Sequence, residues 1–322
     1  MQPVLQTISR KTLNTLQFKR IKRNVNGVLL LDKPLGFSSN QALQKVKWLF
    51  SATKAGHTGT LDPLATGLLP ICLGEATKFA QYVTDADKTY HATIKLGITT
   101  STGDAEGVVL ATLPVNVTHM QFKVVAQEFL GEISQVPPMY SALKHEGKAL
   151  YEYAREGVDI ARQARCVQIK NIIVNEFSGD IAQITVTCSK GTYIRTLAED
   201  IGAKLACGAH LIGLRRTETA GYLLPQAITI AQLEAMTIEA RDAQLLAIDS
   251  AIEYLPKITL NADATYFLMQ GQAVWLAGKT LPSNYFGGDL RIYDENNCFL
   301  GLGFLQDDGK IAPRRLIVKN NC

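Results

Sequence analysis

The chain has 322 residues, 47% of them hydrophobic and 19% charged, and a formal net charge of +4. These are globular values: they exclude a disordered polyelectrolyte, and no apolar run is long enough to span a membrane. The six cysteines form no CxxC pair and no Cys/His cluster, so reduced packing thiols of a cytoplasmic protein are expected, with neither structural zinc nor a disulfide framework.

Charge is unevenly placed. Arg10, Lys11, Lys19, Arg20, Lys22 and Arg23 lie within residues 1–26 with no acid among them, and the remainder carries 27 basic against 29 acidic residues. Nucleic-acid affinity must therefore come from a local patch or from this extension, which reads either as a solvated leader or as an RNA-contacting arm. It has no apolar segment behind it and does not read as a signal peptide. Gly27 to Leu31 is a short apolar run, expected as a buried strand. Asp32-Lys33-Pro34-Leu35-Gly36 turns the chain, and Ser38 or Ser39 caps a helix with Leu43, Val46, Leu49 and Phe50 on its apolar face.

Ala55-Gly56-His57-Thr58-Gly59-Thr60-Leu61-Asp62-Pro63-Leu64-Ala65-Thr66-Gly67 follows. Three glycines and a proline make it a poor helix and a poor central strand, yet Leu68 to Leu73 directly after it reads as buried strand. Pro63 forces Asp62 into an extended conformation. The stretch suits either an Asx turn that caps its own backbone or a stiff loop that presents Asp62 and His57 for chemistry.

Glu75 to Val83 is helix-like. Lys88 to Gly97 alternates strictly, with Tyr90, Ala92, Ile94 and Leu96 on one face and His91 on the other: a half-buried strand with an aromatic ring at the rim of the core. Gly97 to Gly107 is a turn-rich loop holding Thr100, Thr102 and Asp104. Thr118 and Gln121 have capping-box spacing for a helix bearing Phe122, Val125 and Phe129. Residues 139–165 interleave Tyr140, Tyr151 and Tyr153 with Lys144, Lys148, Arg155, Arg162 and Arg165, a pattern that suits stacking on bases and phosphate contact, or an ordinary amphipathic helix. Two alternating strands, near 167–174 and 181–188, lead to Thr192 as the cap of a helix from Tyr193 to about Ala206. Arg195 in its first turn opposes the helix dipole, which calls for a carboxylate partner. Leu211 to Thr217 is a strand with a basic end, and 225–255 is helical with Thr229 as a cap. Short strands separated by turn sequences, near 291–294, 298–305 and 310–318, form a small all-β module.

Three stretches resemble the TruB family of tRNA pseudouridine synthases: Gly56 to Pro63 with Ala65 to Pro70, Asp32-Lys33-Pro34-x-Gly36, and Ser189 to Ala198 ending in the Arg215-Arg216-Thr217 strand. The resemblance implies an α+β pseudouridine-synthase fold, with a mixed, largely antiparallel central sheet, flanking helices and an inserted thumb at about 138–166. It implies a basic extension over 1–26, a catalytic domain over 27–250 and a β-barrel-like PUA domain over 251–322. It makes Asp62 the catalytic residue and pairs Arg195 with it. Tyr90 is placed against the target base, and His57 fills or contacts the position the base vacates. Lys33 belongs to a supporting segment beside the catalytic loop, and Asp104 supports the site or contacts RNA. The implied reaction isomerises the T-loop uridine 55 of tRNA to pseudouridine by base flipping, without cofactor or metal. The implied protein is a monomer that binds the tRNA T-arm stem-loop, needs no guide RNA and associates with no membrane. An RNA chaperone, a guide-RNA-dependent ribosomal synthase and a glycosidic hydrolase are the competing readings.

Overall fold

The computed structural model describes residues 21–276, 285 and 287–318. The extension up to residue 20, with Arg10, Lys11, Lys19 and Arg20, and Cys322 lie outside the described residues. A ten-stranded mixed sheet forms the centre. Across it run Ile228–Thr229, Gly27–Lys33, Ala65–Leu73, Ala209–Thr219, Lys88–Leu96, Ile181–Cys188, Arg165–Ser178 and Gly131–Gln135, with Ala55–His57 and Tyr222–Leu223 as side branches. Gly27–Lys33 with Ile228–Thr229, and Ala65–Leu73 with Ala209–Thr219, are parallel pairs, and the other ladders of this sheet are antiparallel.

Local sequence explains the helices that flank it. Ser38 caps Ser39–Leu49 through a reciprocal capping box with Gln41, and the buried Ala42, Leu43, Val46 and Leu49 face the sheet. Thr118 and Gln121 make the same box for His119–Gln127, which buries Phe122. Thr192 does not cap the Ile194–Lys204 helix as its sequence suggests. Tyr193 is the cap residue, without a side-chain bond, and the Thr192 hydroxyl donates to the Ser189 carbonyl at 3.0 Å. The 75–83 segment begins as a 3-10 helix, Gly74–Phe79, before the α-helix Ala80–Asp85. The 225–255 region breaks into the short helices Ile230–Ala235 and Ile238–Asp242 and a 3-10 turn at Ser250–Ile252, because Thr229 and Thr237 each start a new cap.

Between Gln135 and Arg165 the chain leaves the sheet. It forms a two-residue hairpin, Lys144–His145 with Lys148–Ala149, and a six-residue helix, Leu150–Arg155, rather than one amphipathic helix. The C-terminal module is a four-stranded sheet, Lys257–Thr259, Asp289–Tyr293, Phe299–Leu305 and Ile311–Leu316. It is not all-β: Asn261 caps the helix Ala262–Met269, which buries Leu268. This module shares a core with the central sheet, where Phe79 meets Phe299 edge-on at 5.4 Å and Val28, Leu68, Tyr293 and Ile317 belong to the same cluster. Among the described residues, no helix is long and apolar enough to cross a membrane.

Gly67 shows how tightly the central strands meet. Its φ is +98°, and a Cβ there would lie 2.3 Å from the Arg216 carbonyl oxygen of the neighbouring strand. Gly67→Ala is expected to cost about 3 kcal/mol or more, from backbone strain and overpacking together. Urea unfolding would detect this, and a loss under about 0.5 kcal/mol, an ordinary surface value, would contradict it.

Candidate active site

The loop from Thr58 to Leu64 is fixed at both ends and in the middle. Thr58 N–H donates to the Pro70 carbonyl at 3.1 Å, and Ala65 N–H donates to the Asp62 carbonyl at 3.0 Å. The buried Ser39 hydroxyl accepts from Leu61 N–H at 2.7 Å and donates to the Leu61 carbonyl at 3.0 Å. Gly36 N–H reaches the Pro63 carbonyl at 2.9 Å, tying the Asp32–Gly36 turn to the loop. Asp62 is thereby held from both sides, at Leu61 by Ser39 and at Pro63 by Gly36, and not by its own Asx turn.

Its side chain, 38% exposed, opens into a cavity of about 720 Å³ and pairs with Arg195, Nη2 to Oδ2 at 3.0 Å. Arg195 is buried. Its Nη1 donates to the Thr102 carbonyl at 3.0 Å and meets Asp104 Oδ2 at 3.4 Å, while Nη2 also donates to the Tyr140 carbonyl at 2.7 Å. The guanidinium thus joins the loop of Asp62, the Thr100–Asp104 turn and the start of the insert. The dipole conflict in the helix's first turn is answered by two carboxylates and two carbonyls. Asp104 is buried and is held in turn by Thr102, whose hydroxyl donates to its Oδ1.

Burial raises the Asp62 pKa above the usual carboxylate value. Arg195 opposes that rise, Asp104 reinforces it and Lys33 opposes it. Lys33 is fully buried, donates to the carbonyls of Pro34 and Phe37, and is pushed down to about 8 by that burial. It supports the site from behind the turn and does not line the cavity.

Tyr90 belongs to the buried core cluster and forms part of the cavity wall with Leu214 and Arg216. Burial raises its pKa and Arg216 works against the rise. His57 lines the same cavity. Among the described residues its buried Nδ1 has no hydrogen-bond partner, and burial and Arg216 lower its pKa, which favours the neutral imidazole. Six sequence candidates therefore occupy one neighbourhood: Asp62, His57, Tyr90 and Arg195 at the cavity, with Asp104 and Lys33 behind it.

Sequence reasoning missed several partners. Lys88 shares the parity of Tyr90 on an alternating strand, so its burial was readable. Arg215 and Arg216 are adjacent in one strand and must face opposite ways. Arg215 turns to Asp32 at 2.7 Å, and Arg216 turns inward. Gln135 gave no sequence signal. Its buried amide grips Tyr193, accepting from the N–H at 3.0 Å and donating to the carbonyl at 3.2 Å, and so sets the start of the helix that carries Arg195.

A TruB family pseudouridylate synthase (N terminal domain) model matches residues 47–194. A tRNA pseudouridylate synthase B C-terminal domain model matches 195–258, and a Pseudouridine synthase II TruB, C-terminal model matches 256–317. A tRNA pseudouridine synthase B from Methylobacillus flagellatus is 59% identical over 94% of this chain and 98% of its own length. One from Stutzerimonas stutzeri is 50% identical over 94% of this chain and 98% of its own. Among solved structures, a Cbf5-Nop10-Gar1 complex aligns with a TM-score of 0.67 at 28% identity, over 91% of this chain and 84% of that one. An H/ACA RNP bound to a substrate RNA containing 2'-deoxyuridine has a like fold, at a TM-score of 0.69 and 24% identity over 92% and 86%. With its fold, its three matched segments and relatives this similar over nearly their full length, the chain belongs to the TruB family of pseudouridylate synthases, which are isomerases.

Proposed function

We propose that this protein isomerises the T-loop uridine 55 of tRNA to pseudouridine, with Asp62 as the catalytic residue. The observation that carries the reading is the Asp62–Arg195 pair at 3.0 Å opening into a cavity walled by Tyr90. A carboxylate that is partly desolvated yet kept ionised by a fixed guanidinium suits attack on, or stabilisation of, the ribose C1′ side. The target base is buried in a folded T-loop and must be flipped out, at a cost of a few kcal/mol. Tyr90 then stacks on the flipped uracil, and the neutral His57 contacts the position it leaves. Isomerisation involves no net oxidation or hydrolysis, so the reading calls on no cofactor, and the thumb-like insert at about 138–166 favours an enzyme that works on tRNA without a guide RNA.

The working division is a catalytic domain over 27–250, a thumb at about 138–166 that closes on the T-arm, and a PUA-like RNA-binding domain over 251–322. The protein works as a cytoplasmic monomer.

Tritium release from tRNA labelled at C5 of uridine tests the reading. One equivalent per tRNA is expected, lost when uridine 55 is replaced. Asp62→Asn is expected to abolish release while tRNA affinity stays near wild type, and residual activity above about a tenth would overturn the assignment.

The pH profile supplies a second check. The active form is the carboxylate, so activity falls as pH drops through the Asp62 pKa, and burial places that limb above the ordinary value of 3.8. Arg195 holds the pKa down, so Arg195→Gln is expected to move the acid limb to higher pH as well as lower the plateau. A limb that stays in place would mean that the pair does not set the protonation of Asp62.

A further inference from the structure

Among the described residues, two cations in the cavity wall have no anion of their own. Arg216 is 1% exposed, and its Nε and Nη2 donate to the carbonyls of Leu68 and Gly59 at 2.7 and 3.2 Å. Its guanidinium also engages the Tyr90 hydroxyl. Lys88 is buried too, and its Nζ donates to the carbonyls of Val83, Thr84 and Ala86. Among the described residues neither cation forms an ion pair with a carboxylate. Asp85 and Asp87, the acids nearest to Lys88, are paired with Lys190 and Lys170. Arg195, by contrast, has Asp62 and Asp104.

A buried charge without a counter-ion is costly, and arginine cannot escape by losing its proton. Lys88 is already pushed down to about 8 by its burial. The two cations also converge. A Cβ built on Gly59 would lie 3.3 Å from Arg216 Nη1 and 3.8 Å from Lys88 Cε. Positive charge is thus stored under the loop that carries Asp62, on the Tyr90 side of the cavity. Asp62 is the sole carboxylate in the described lining, against Lys88, Arg165, Lys190, Arg195 and Arg216. Arg165 and Lys190 are exposed and at the rim, where phosphates would pass. Arg216 and Lys88 are too deep for that.

We propose that Arg216 and Lys88 form an anion site for the detached uracil, stabilising the negative charge that develops on the base as its glycosidic bond breaks. This rests on the reading of the chain as a uridine isomerase. When the C1′–N1 bond breaks, its electron pair stays on N1 and spreads to O2 and O4, leaving the base an anion. Asp62 meets the positive charge on the C1′ side, and the two cations meet the negative charge. Closing the C1′–C5 bond uses an electron pair of the base. The C5 proton is then lost and one is gained at N1, so the product is an isomer and every charge returns to its starting value. A fixed field aimed at developing charge is most effective where water is excluded.

The test compares single-turnover consumption of the target nucleoside in tRNA transcripts carrying uridine or 5-fluorouridine. Fluorine withdraws electrons, so the fluorinated base leaves as an anion with less assistance. Arg216→Gln is expected to slow uridine by about 100-fold and 5-fluorouridine by no more than about tenfold. Lys88→Met shifts the ratio the same way by a smaller factor, and Arg216→Lys, which keeps the charge, retains the wild-type ratio. Equal slowing of both nucleosides by folded, charge-removing variants would show a merely structural role and overturn the proposal. If circular dichroism shows that Arg216→Gln does not fold, Lys88→Met decides alone, and an unchanged ratio overturns it. Wild-type protein that consumes neither nucleoside would refute the isomerase reading itself, a failure distinct from an unchanged ratio.

Discussion

A carboxylate taken out of water tends to pick up a proton, and the architecture around Asp62 exists against that tendency. Desolvation pushes its pKa up, and Arg195 at 3.0 Å pulls it back. A flexible arginine would do this poorly. Here the guanidinium is locked by carbonyls from two other segments, and the helix that carries it is gripped by the Gln135 amide. On the other side, one serine hydroxyl holds both polar groups of Leu61. Hydrogen bonds thus fix the position of the charged pair: those of Gln135 and Ser39 are neutral, at about 1 kcal/mol each, and those that Arg195 donates to carbonyls are charge-assisted and stronger.

The same logic explains why the functional residues are scattered through the chain. Gly67, Arg216, Tyr90 and Val186 are register partners across four neighbouring strands, so residues more than a hundred positions apart form one transverse row. The ladder slips by one residue just beyond Arg216. Such irregularities re-aim side chains and recur beside active sites. Gly67 in this row has no side chain because the Arg216 backbone occupies the space.

Much of this was legible in the sequence where a local rule decides. The capping boxes at Ser38 and Thr118 and the alternation of Lys88 to Leu96 are short-range facts, and the fold kept them. The Arg195 conflict pointed to a carboxylate before any partner was visible, and the TruB resemblance named Asp62. What escaped detection is of two kinds. Thr192 was misread as a cap because Ser189 offered its hydroxyl a nearer partner. Gln135 and Ser39 act on backbone groups of Tyr193 and Leu61, and no side-chain pattern encodes a backbone partner 58 or 22 positions away.

The core shared by the central sheet and the C-terminal strands carries a mechanical consequence. Phe79 and Phe299 interlock, Lys78 Nζ donates to the Leu316 carbonyl at 2.8 Å, and Arg291 meets Asp249 at 3.0 Å. Parts joined by a continuous apolar interior and by charged hydrogen bonds cannot swing as beads on a string. The distance from the cavity to the C-terminal sheet is therefore a fixed length. An RNA that touched both would be measured as if by a caliper, accepted when its flipped nucleotide and its distal contact lie one set span apart.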